Sequence, residues 1–578
     1  MDNQLPKPFI FVLSLVQGIV LTLLYRSVEN QLWPATEPVW LFSLVTFTIS
    51  FVLLTLLAVE QANIKKLLSY LLPFSLLLSL LGAYIGAQQY PIALVNNDAL
   101  TAIFIFTALI ASFKALMYIQ QLIGNEAISY SQLFKLSWRN FILFAECWLF
   151  VLIFWGILQL GAALFNALEI TFFSELLKKD WFWIPTLTLA FGFATVIFRG
   201  VMHIEDNISF LLQTLIKFLL PVLTVISLGF LATLPFTGLD KLWQTGSGSS
   251  LVLWLQVLTL FFVNTVYQYA ADQRPYKIVI HRLVFFGIAL LPIYSVIAAY
   301  GIWLRVEQYG ITVGRCWAIL VCLLLACFSF GYLVGIVKKR DAWQQVQSKV
   351  NIVMGVVILI FMLLVNSPVL NFQRLSTESQ IARLNEGDVS IEEFDYYYFS
   401  SNLGRQGYLA MQKLQAQIQS THPEQAMIIE RMYVNPDNPE FEALAEQTSI
   451  TEFVTHSTFW PRQQVFSDGL IQAVFESLHF NRWTPLKSHS FYFIAIDLNQ
   501  DEQLDYVFID ETNHSTEANL WLHDGTQWQS KYMTIDNPEQ IKLLKTLIDA
   551  DDIEVAQPKY NDLKIGDVLF KVRSDIDY

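Results

Sequence analysis

Eleven apolar runs fill the first 365 residues, and they decide what this chain can fold into. They cover roughly residues 8–25, 38–59, 67–87, 99–119, 141–165, 182–202, 217–233, 251–270, 283–304, 316–337 and 350–365. A hydrocarbon core about 30 Å thick is crossed by about 20 largely apolar residues in a helix. Inside it every backbone N–H and C=O must be bonded within the protein, which for runs of this kind means an α-helix. One such run fits a buried soluble helix, but eleven in succession do not. The seventh is the least regular, carrying Lys217 and Pro221, and the eleventh is short unless it continues to Leu370. The first run follows Lys7 and has the length of a signal peptide. Tyr25-Arg26-Ser27 lacks the small residues of a cleavage site, so it reads as a retained first span.

Beyond residue 365 the character reverses. Residues 1–365 carry 21 Lys and Arg against 16 Asp and Glu, whereas residues 366–578 carry 15 against 33. An acidic half of this kind argues against nucleic acid as a partner, because phosphates call for Lys/Arg surfaces. The four cysteines, Cys147, Cys316, Cys322 and Cys327, all lie in apolar runs. No disulfide framework therefore supports the acidic half, and these thiols read as packing or lipid-facing groups. Length and partition together predict a membrane all-α bundle of about 11 spans followed by a soluble α+β domain. The expected divisions are a transmembrane domain over 1–365, an aromatic-rich helical collar over 366–420 and an acidic domain over 421–578.

Lys/Arg placement predicts orientation. The N-terminus and every second loop carry 14 Lys and Arg, counting Lys114 with its neighbouring loop, and the opposite loops carry six. The N-terminus is therefore expected in the cytoplasm. An odd number of spans then puts the acidic domain outside, in the periplasm of a Gram-negative cell. Trp33, Trp40, Trp138, Trp181, Trp183, Trp243 and Trp303 fall near span ends, as interface-seeking rings should.

Ionisable groups at membrane depth are costly and so are functional suspects. Glu146 lies about two turns into the fifth span, and Arg199, His203, Glu205 and Asp206 crowd the end of the sixth. The cluster reads first as an interfacial group that snorkels or pairs internally. His203 and Glu205 as a metal or proton relay would need a second motif on another span. Between the ninth and tenth spans, Arg305-Val-Glu-Gln-Tyr-Gly-Ile-Thr-Val-Gly-Arg315 places two arginines on the outer side. Tyr309-Gly310 permits a tight turn, and Thr312 is positioned to cap the next helix. Arg305 and Arg315 are suited to a phosphate or carboxylate, including a lipid headgroup, and equally to a structural dock for the acidic tail.

In the second half, Ser376 is expected to cap a helix over 377–385, and Ser390-x-x-Glu393 reads as a capping box for an aromatic helix over 391–399. A third helix follows from about Tyr408, and two short ones are expected within 423–447. Strands are expected at 490–496, 506–509, 519–523 and 527–535, the last pair forming a hairpin across Asp524-Gly525. A helix near 538–550 and a strand near 567–573 complete the α+β reading. Between the first two strands, Asp497-Leu-Asn-Gln-Asp-Glu-Gln-Leu-Asp505 sets oxygen ligands at Asp497, Asn499, Asp501, Gln503 and Asp505. Oxygens spaced this way converge on a hard cation such as Ca2+. The loop resembles the calcium loops of integrin-like propeller repeats, although Glu502 stands where Gly usually turns the chain. An ordinary acidic hairpin loop is the other reading. No GxSxG, HExxH or Walker-type sequence occurs, so no catalytic residue is assigned.

Several stretches together resemble the domain-of-unknown-function 4153 family of bacterial multi-pass membrane proteins. They are Tyr130-Ser-Gln-Leu-Phe-Lys-Leu-Ser-Trp-Arg-Asn-Phe141, Leu164-Phe165 with Phe172-Phe173, Leu234-Pro-Phe-Thr-Gly-Leu-Asp240, Val263-Asn-Thr-Val-Tyr267, and above all Leu304-Arg-Val-Glu-Gln-Tyr-Gly-Ile-Thr312 with Arg315. The resemblance implies an inner-membrane location and brings no established activity. Three readings follow. The first is an envelope anchor or sensor whose acidic domain meets a protein partner. The second is a transporter or lipid-handling protein using Glu146 and the arginine pair. The third is a membrane-embedded transferase that holds a lipid phosphate, with Glu307 as its carboxylate.

Overall fold

Each apolar run folds as a helix, and eleven helical segments of 19 to 37 residues among the described residues are long and apolar enough to cross a membrane. The computed structural model describes the chain apart from residues 1–4, 93, 96, 125–126, 201–203, 240–241, 244–247, 269–274, 434–449, 479–488, 499–502, 513–515, 524–526, 534–543, 551–552, 554, 556–562, 566–567 and 571–578. For residues 204–208, 341, 512, 545–546, 549, 563–565 and 568–570 it describes the backbone alone. Two compact units result, Met1–Leu414 and Gln415–Tyr578.

In the first unit the chain runs through α1 (Lys7–Glu29), α2 (Pro38–Ala58), α3 (Ile64–Ala87), α4 (Asp98–Ile123) and α5 (Tyr130–Asn166). After a short α6 (Phe172–Leu177) come α7 (Asp180–Gly200), α8 (Ile204–Thr237) and α9 (Gly248–Val266). The seventh run is thus much longer than expected, because helix extends on both sides of Lys217 and past Pro221. The ninth crossing is broken into α10 (Ile278–Ala289) and α11 (Leu291–Tyr309). Pro292 explains the break, since it has no N–H to donate and its ring crowds the preceding turn. The last two spans are α12 (Val313–Lys339) and α13 (Gln344–Leu364).

Two buried clusters hold the bundle together. Ile10, Leu57, Leu71, Leu116, Leu143 and Ala194 gather α1 to α5 with α7. Leu220, Val263, Ile288, Tyr294 and Tyr332 gather α8 to α12. Helices in lipid associate by close packing rather than by hydrophobic exclusion, so small residues mark tight crossings. At Gly86 a Cβ would stand 2.3 Å from the Pro38 carbonyl oxygen, which fixes glycine where α3 meets α2. The outward face stays apolar, with Phe218 74% and Trp254 71% exposed, as a lipid-facing surface requires.

Past the last span come α14 (Phe372–Glu386), α15 (Tyr396–Asn402) and α16 (Gly404–Ile418). The first begins earlier than Ser376 suggested. Asn371 is the cap, accepting the Arg374 amide at 2.9 Å, and the Ser376 hydroxyl instead donates to the Ile311 carbonyl at 3.1 Å. Likewise Ser390 accepts the Glu393 amide within a turn, while α15 is capped by Asp395, which accepts the Tyr398 amide at 2.9 Å.

The second unit carries α17 (Pro423–Met432), α18 (Ile450–Thr455), β1 (Ser457–Trp460), α19 (Asp468–Ser477), β2 (His489–Ile496), β3 (Asp505–Thr512), β4 (Thr516–His523), β5 (Trp528–Met533), α20 (Leu544–Asp549), β6 (Leu563–Ile565) and β7 (Val568–Phe570). Strands β1 to β5 form one sheet in sequence order, with β1 parallel to β2 and the remaining neighbours antiparallel. Phe453, Phe491, Phe493, Phe508 and Trp521 pack on one face with Leu470 and Val474 of α19. Tyr492, Ile494 and Val507 meet Ile548 on the other. Both faces of β2 are covered, which is why its sequence reads as a continuous apolar run. Strand β1 had no counterpart in the sequence reading. Most of the second helix expected within 423–447, and the tip of the Asp524-Gly525 hairpin, lie outside the described residues.

Candidate functional site

The loop between α11 and α12 is held by the collar formed by α14 and α15. Gly310, at φ +69°, turns the chain, and the turn leaves backbone groups with no helical partner. Collar side chains bond several of them. The Ile311 amide donates to the Ser379 hydroxyl at 2.9 Å and the Val313 amide to the Tyr398 phenol oxygen at 2.9 Å. Gln380 donates to the carbonyls of Tyr309 and Ile311, at 3.0 and 3.1 Å, and Arg383 donates to Gln308 O at 2.9 Å. A second attachment ties the collar to the end of α3. There Asn371 donates to the Tyr84 phenol at 2.7 Å, Arg405 to Ala87 O at 3.0 Å and Gln406 to Gln88 Oε1 at 2.9 Å. Phe372 is buried and its ring meets Trp317 of α12 edge-on at 5.2 Å, so the collar has apolar as well as polar seating.

The two expected arginines belong to this loop. Arg315 donates to the carbonyls of Tyr309 and Gly310 at 3.2 and 2.7 Å, and Arg305 donates to Trp243 O at 3.1 Å. Both guanidiniums lie on the Tyr309 ring, 5.5 and 5.8 Å from its centroid. Thr312 caps α12 by accepting the Arg315 amide at 3.4 Å. Arg305, Tyr309, Thr312 and Arg315 are therefore brought together, and their described bonds shape the loop. Glu307 is exposed and makes no ion pair among the described residues.

The other expected groups are dispersed. Arg199 closes the end of α2, donating to Leu56 O and Val59 O at 3.1 and 2.7 Å with Glu60 4.0 Å away. His203 and the Glu205 side chain lie outside the described residues, as do Asn499 and Asp501 of the acidic loop. Asp505 accepts the Leu498 amide at 3.0 Å, closing the neck of that loop with a carboxylate. Glu146 sits half-buried on α5 without a hydrogen bond or ion pair among the described residues.

Sequence reasoning missed a polar network inside the bundle. Asn264 Oδ1 on α9 accepts from Gln347 Nε2 and Asn351 Nδ2 of α13, both at 2.9 Å, and lies 2.7 Å from the Tyr332 hydroxyl of α12. Tyr332 also bonds Asn351 Oδ1, and Tyr130 of α5 donates to the Asn264 carbonyl at 3.2 Å. Four helices meet through these five side chains. Of the five, Tyr130 and Asn264 fall in stretches that carry the family resemblance, but nothing in the sequence joins them to Tyr332, Gln347 or Asn351.

A bundle of eleven crossings that continues into a clamped collar defines an integral, multi-pass membrane protein. The chain belongs to the family described as Domain of unknown function (DUF4153), whose model matches residues 32–414. The match ends where the first compact unit ends, at Leu414. No curated protein and no solved structure matches the chain.

Proposed function

We propose that the protein is an inner-membrane anchor and sensor. The bundle fixes an acidic extracytoplasmic domain to the membrane and passes its own rearrangements to that domain through the collar. The collar clamp on residues 309–313 carries this reading: a plain tether would need no such set of side-chain bonds to a loop of the bundle. With Lys114 left out because it lies within α4, the bias of 13 Lys and Arg against six still supports a cytoplasmic N-terminus, and an odd number of crossings then supports a periplasmic acidic domain. The domain's excess of carboxylates suits a basic or cation-bridged envelope partner.

Transport or lipid handling is the second reading. The break between α10 and α11, with Gln256 donating to Leu291 O at 3.4 Å, supports it, because discontinuous helices recur where transporters bind their substrates.

Labelling with a membrane-impermeant maleimide tests the orientation. Ser530→Cys, on the exposed stretch of β5, should label in spheroplasts without lysis. Labelling only after the inner membrane is opened would overturn the anchor reading.

A further inference from the structure

Beside the Asn264 network lies a cavity of about 410 Å3, walled by α4, α5, α9, α12 and α13. Its volume falls in the range of about 300–1,000 Å3 typical of small-molecule sites. Phenylalanines from α4, α5, α9 and α12 make most of the wall apolar. Tyr130, Ser137, Trp138, Asn264 and Asn351 supply polar edges, and Lys114 supplies a cation. Lys114 is not the loop residue that charge counting made it. It sits nine residues before the end of α4, about 13 Å inside at the helical rise of about 1.5 Å per residue. It is half-buried and makes no hydrogen bond or ion pair among the described residues. An ammonium carried within a spanning helix is costly unless a counter-charge or water offsets it. None of the lining residues is acidic, so the protein wall provides no counter-charge.

We propose that this cavity binds an amphipathic anion, whose charged group is held by Lys114 and whose hydrocarbon lies against the phenylalanines. Tyr130 and the Asn264–Asn351 pair add polar groups to the same lining as the phenylalanines. That combination matches a molecule with one acidic head and at least one acyl chain. An anionic phospholipid and a free long-chain carboxylate share this chemistry. The inference goes beyond the anchoring reading and stands independently of which side of the membrane the acidic domain occupies.

Native mass spectrometry of the full chain in a neutral detergent tests it, with phosphatidylglycerol and phosphatidylcholine of matched chains as probes and oleate as competitor. The wild type should retain phosphatidylglycerol over phosphatidylcholine by about tenfold or more, the scale of one charge-assisted hydrogen bond. Lys114→Gln should abolish the preference and Lys114→Arg should keep it. Lys135→Gln, which removes an exposed charge of the neighbouring α5 outside the cavity wall, should also keep it. Displacement by oleate identifies a carboxylate amphipath as sufficient, whereas failure to displace assigns the site to the two-chain lipid. Ser137→Phe fills the cavity with Lys114 intact and should lose retention, which covers the case in which Lys114→Gln fails to fold. Equal retention of the two lipids by the wild type, or an undiminished preference in Lys114→Gln, would overturn the proposal and leave Lys114 a snorkelling cation.

Discussion

The Val313 amide donates to the Tyr398 phenol oxygen at 2.9 Å, a bond between residues 85 positions apart in the chain. Val313 opens the tenth crossing and Tyr398 lies beyond the eleventh. The same phenol is 3.0 Å from the Ser376 hydroxyl, which in turn donates to Ile311 O. One loop of the bundle and two helices of the collar therefore share a continuous set of hydrogen bonds. Movement of α11 against α12 would have to break or carry that set.

Gly310 is where the loop is most sensitive. At φ +69° and ψ −172° it occupies a region that other residues almost never enter, and a Cβ there would meet Arg383 Cδ at 2.7 Å and Gln380 Nε2 at 2.9 Å. Gly310→Ala is expected to destabilise the first unit by about 1–3 kcal/mol through backbone strain, with further loss from the displaced Gln380 bonds. Thermal unfolding in detergent checks this, and an unchanged melting temperature would count against the described turn.

Asn264→Leu removes an acceptor that Gln347 and Asn351 both use and that Tyr332 approaches. Each orphaned buried donor costs about 1–3 kcal/mol in proteins generally, and less where membrane helices can find other partners. Tyr332→Phe leaves Asn264 with two donors and should cost less. The predicted order of melting temperatures is wild type, then Tyr332→Phe, then Asn264→Leu.

Burial raises the pKa of the Tyr396 phenol above its usual value of 10.0, and the hydroxyl donates to Ile391 O at 2.7 Å. A phenol whose folded pKa is raised contributes stability that is fully present below the unfolded value. That stability is lost as pH rises from there through the folded value. The wild-type collar should therefore lose stability above pH ~10 more steeply than that of Tyr396→Phe. Parallel pH–stability curves for the two proteins would contradict this.

Asp505 accepts the Leu498 amide at 3.0 Å and so ties together the two ends of the acidic loop. Calcium near 1 mM, the affinity range of about 10⁻⁴–10⁻³ M seen in extracellular modules, is expected to raise the unfolding temperature of the second unit in the full chain. Asp501→Ala should abolish the rise. A wild type indifferent to calcium would leave the loop an ordinary acidic turn.

The crossings were legible because length and apolarity are local properties: each of the eleven runs contains its own evidence. Helix ends were less so. Ser376 and Asn371 are both capping residues by type, and only the position of Ile311 decides that Ser376 turns away to bond it. The Asn264 network was invisible because Tyr332 and Asn351 lie 68 and 87 residues from Asn264, so no spacing announces their meeting. Lys114 was misplaced for the opposite reason. Its charge put it in the count for the loop that follows, although the apolar run itself continues to residue 119 and α4 to Ile123. The arginine motif was legible as a special loop, but its use of Tyr309 as a shared platform depends on how the chain turns at Gly310.

Hydrogen–deuterium exchange across residues 372–402, measured on the full chain in lipid nanodiscs, tests the clamped collar most directly. Amides of α14 and α15 should exchange slowly in the wild type, at rates near those of α13. They should accelerate about tenfold or more in Ser379→Ala/Tyr398→Phe, which removes two of the bonds to the loop and so about 1.4 kcal/mol or more of local stability. Exchange in the wild-type collar as fast as in free chain, or no difference between the two proteins, would contradict a collar that couples the bundle to the acidic domain.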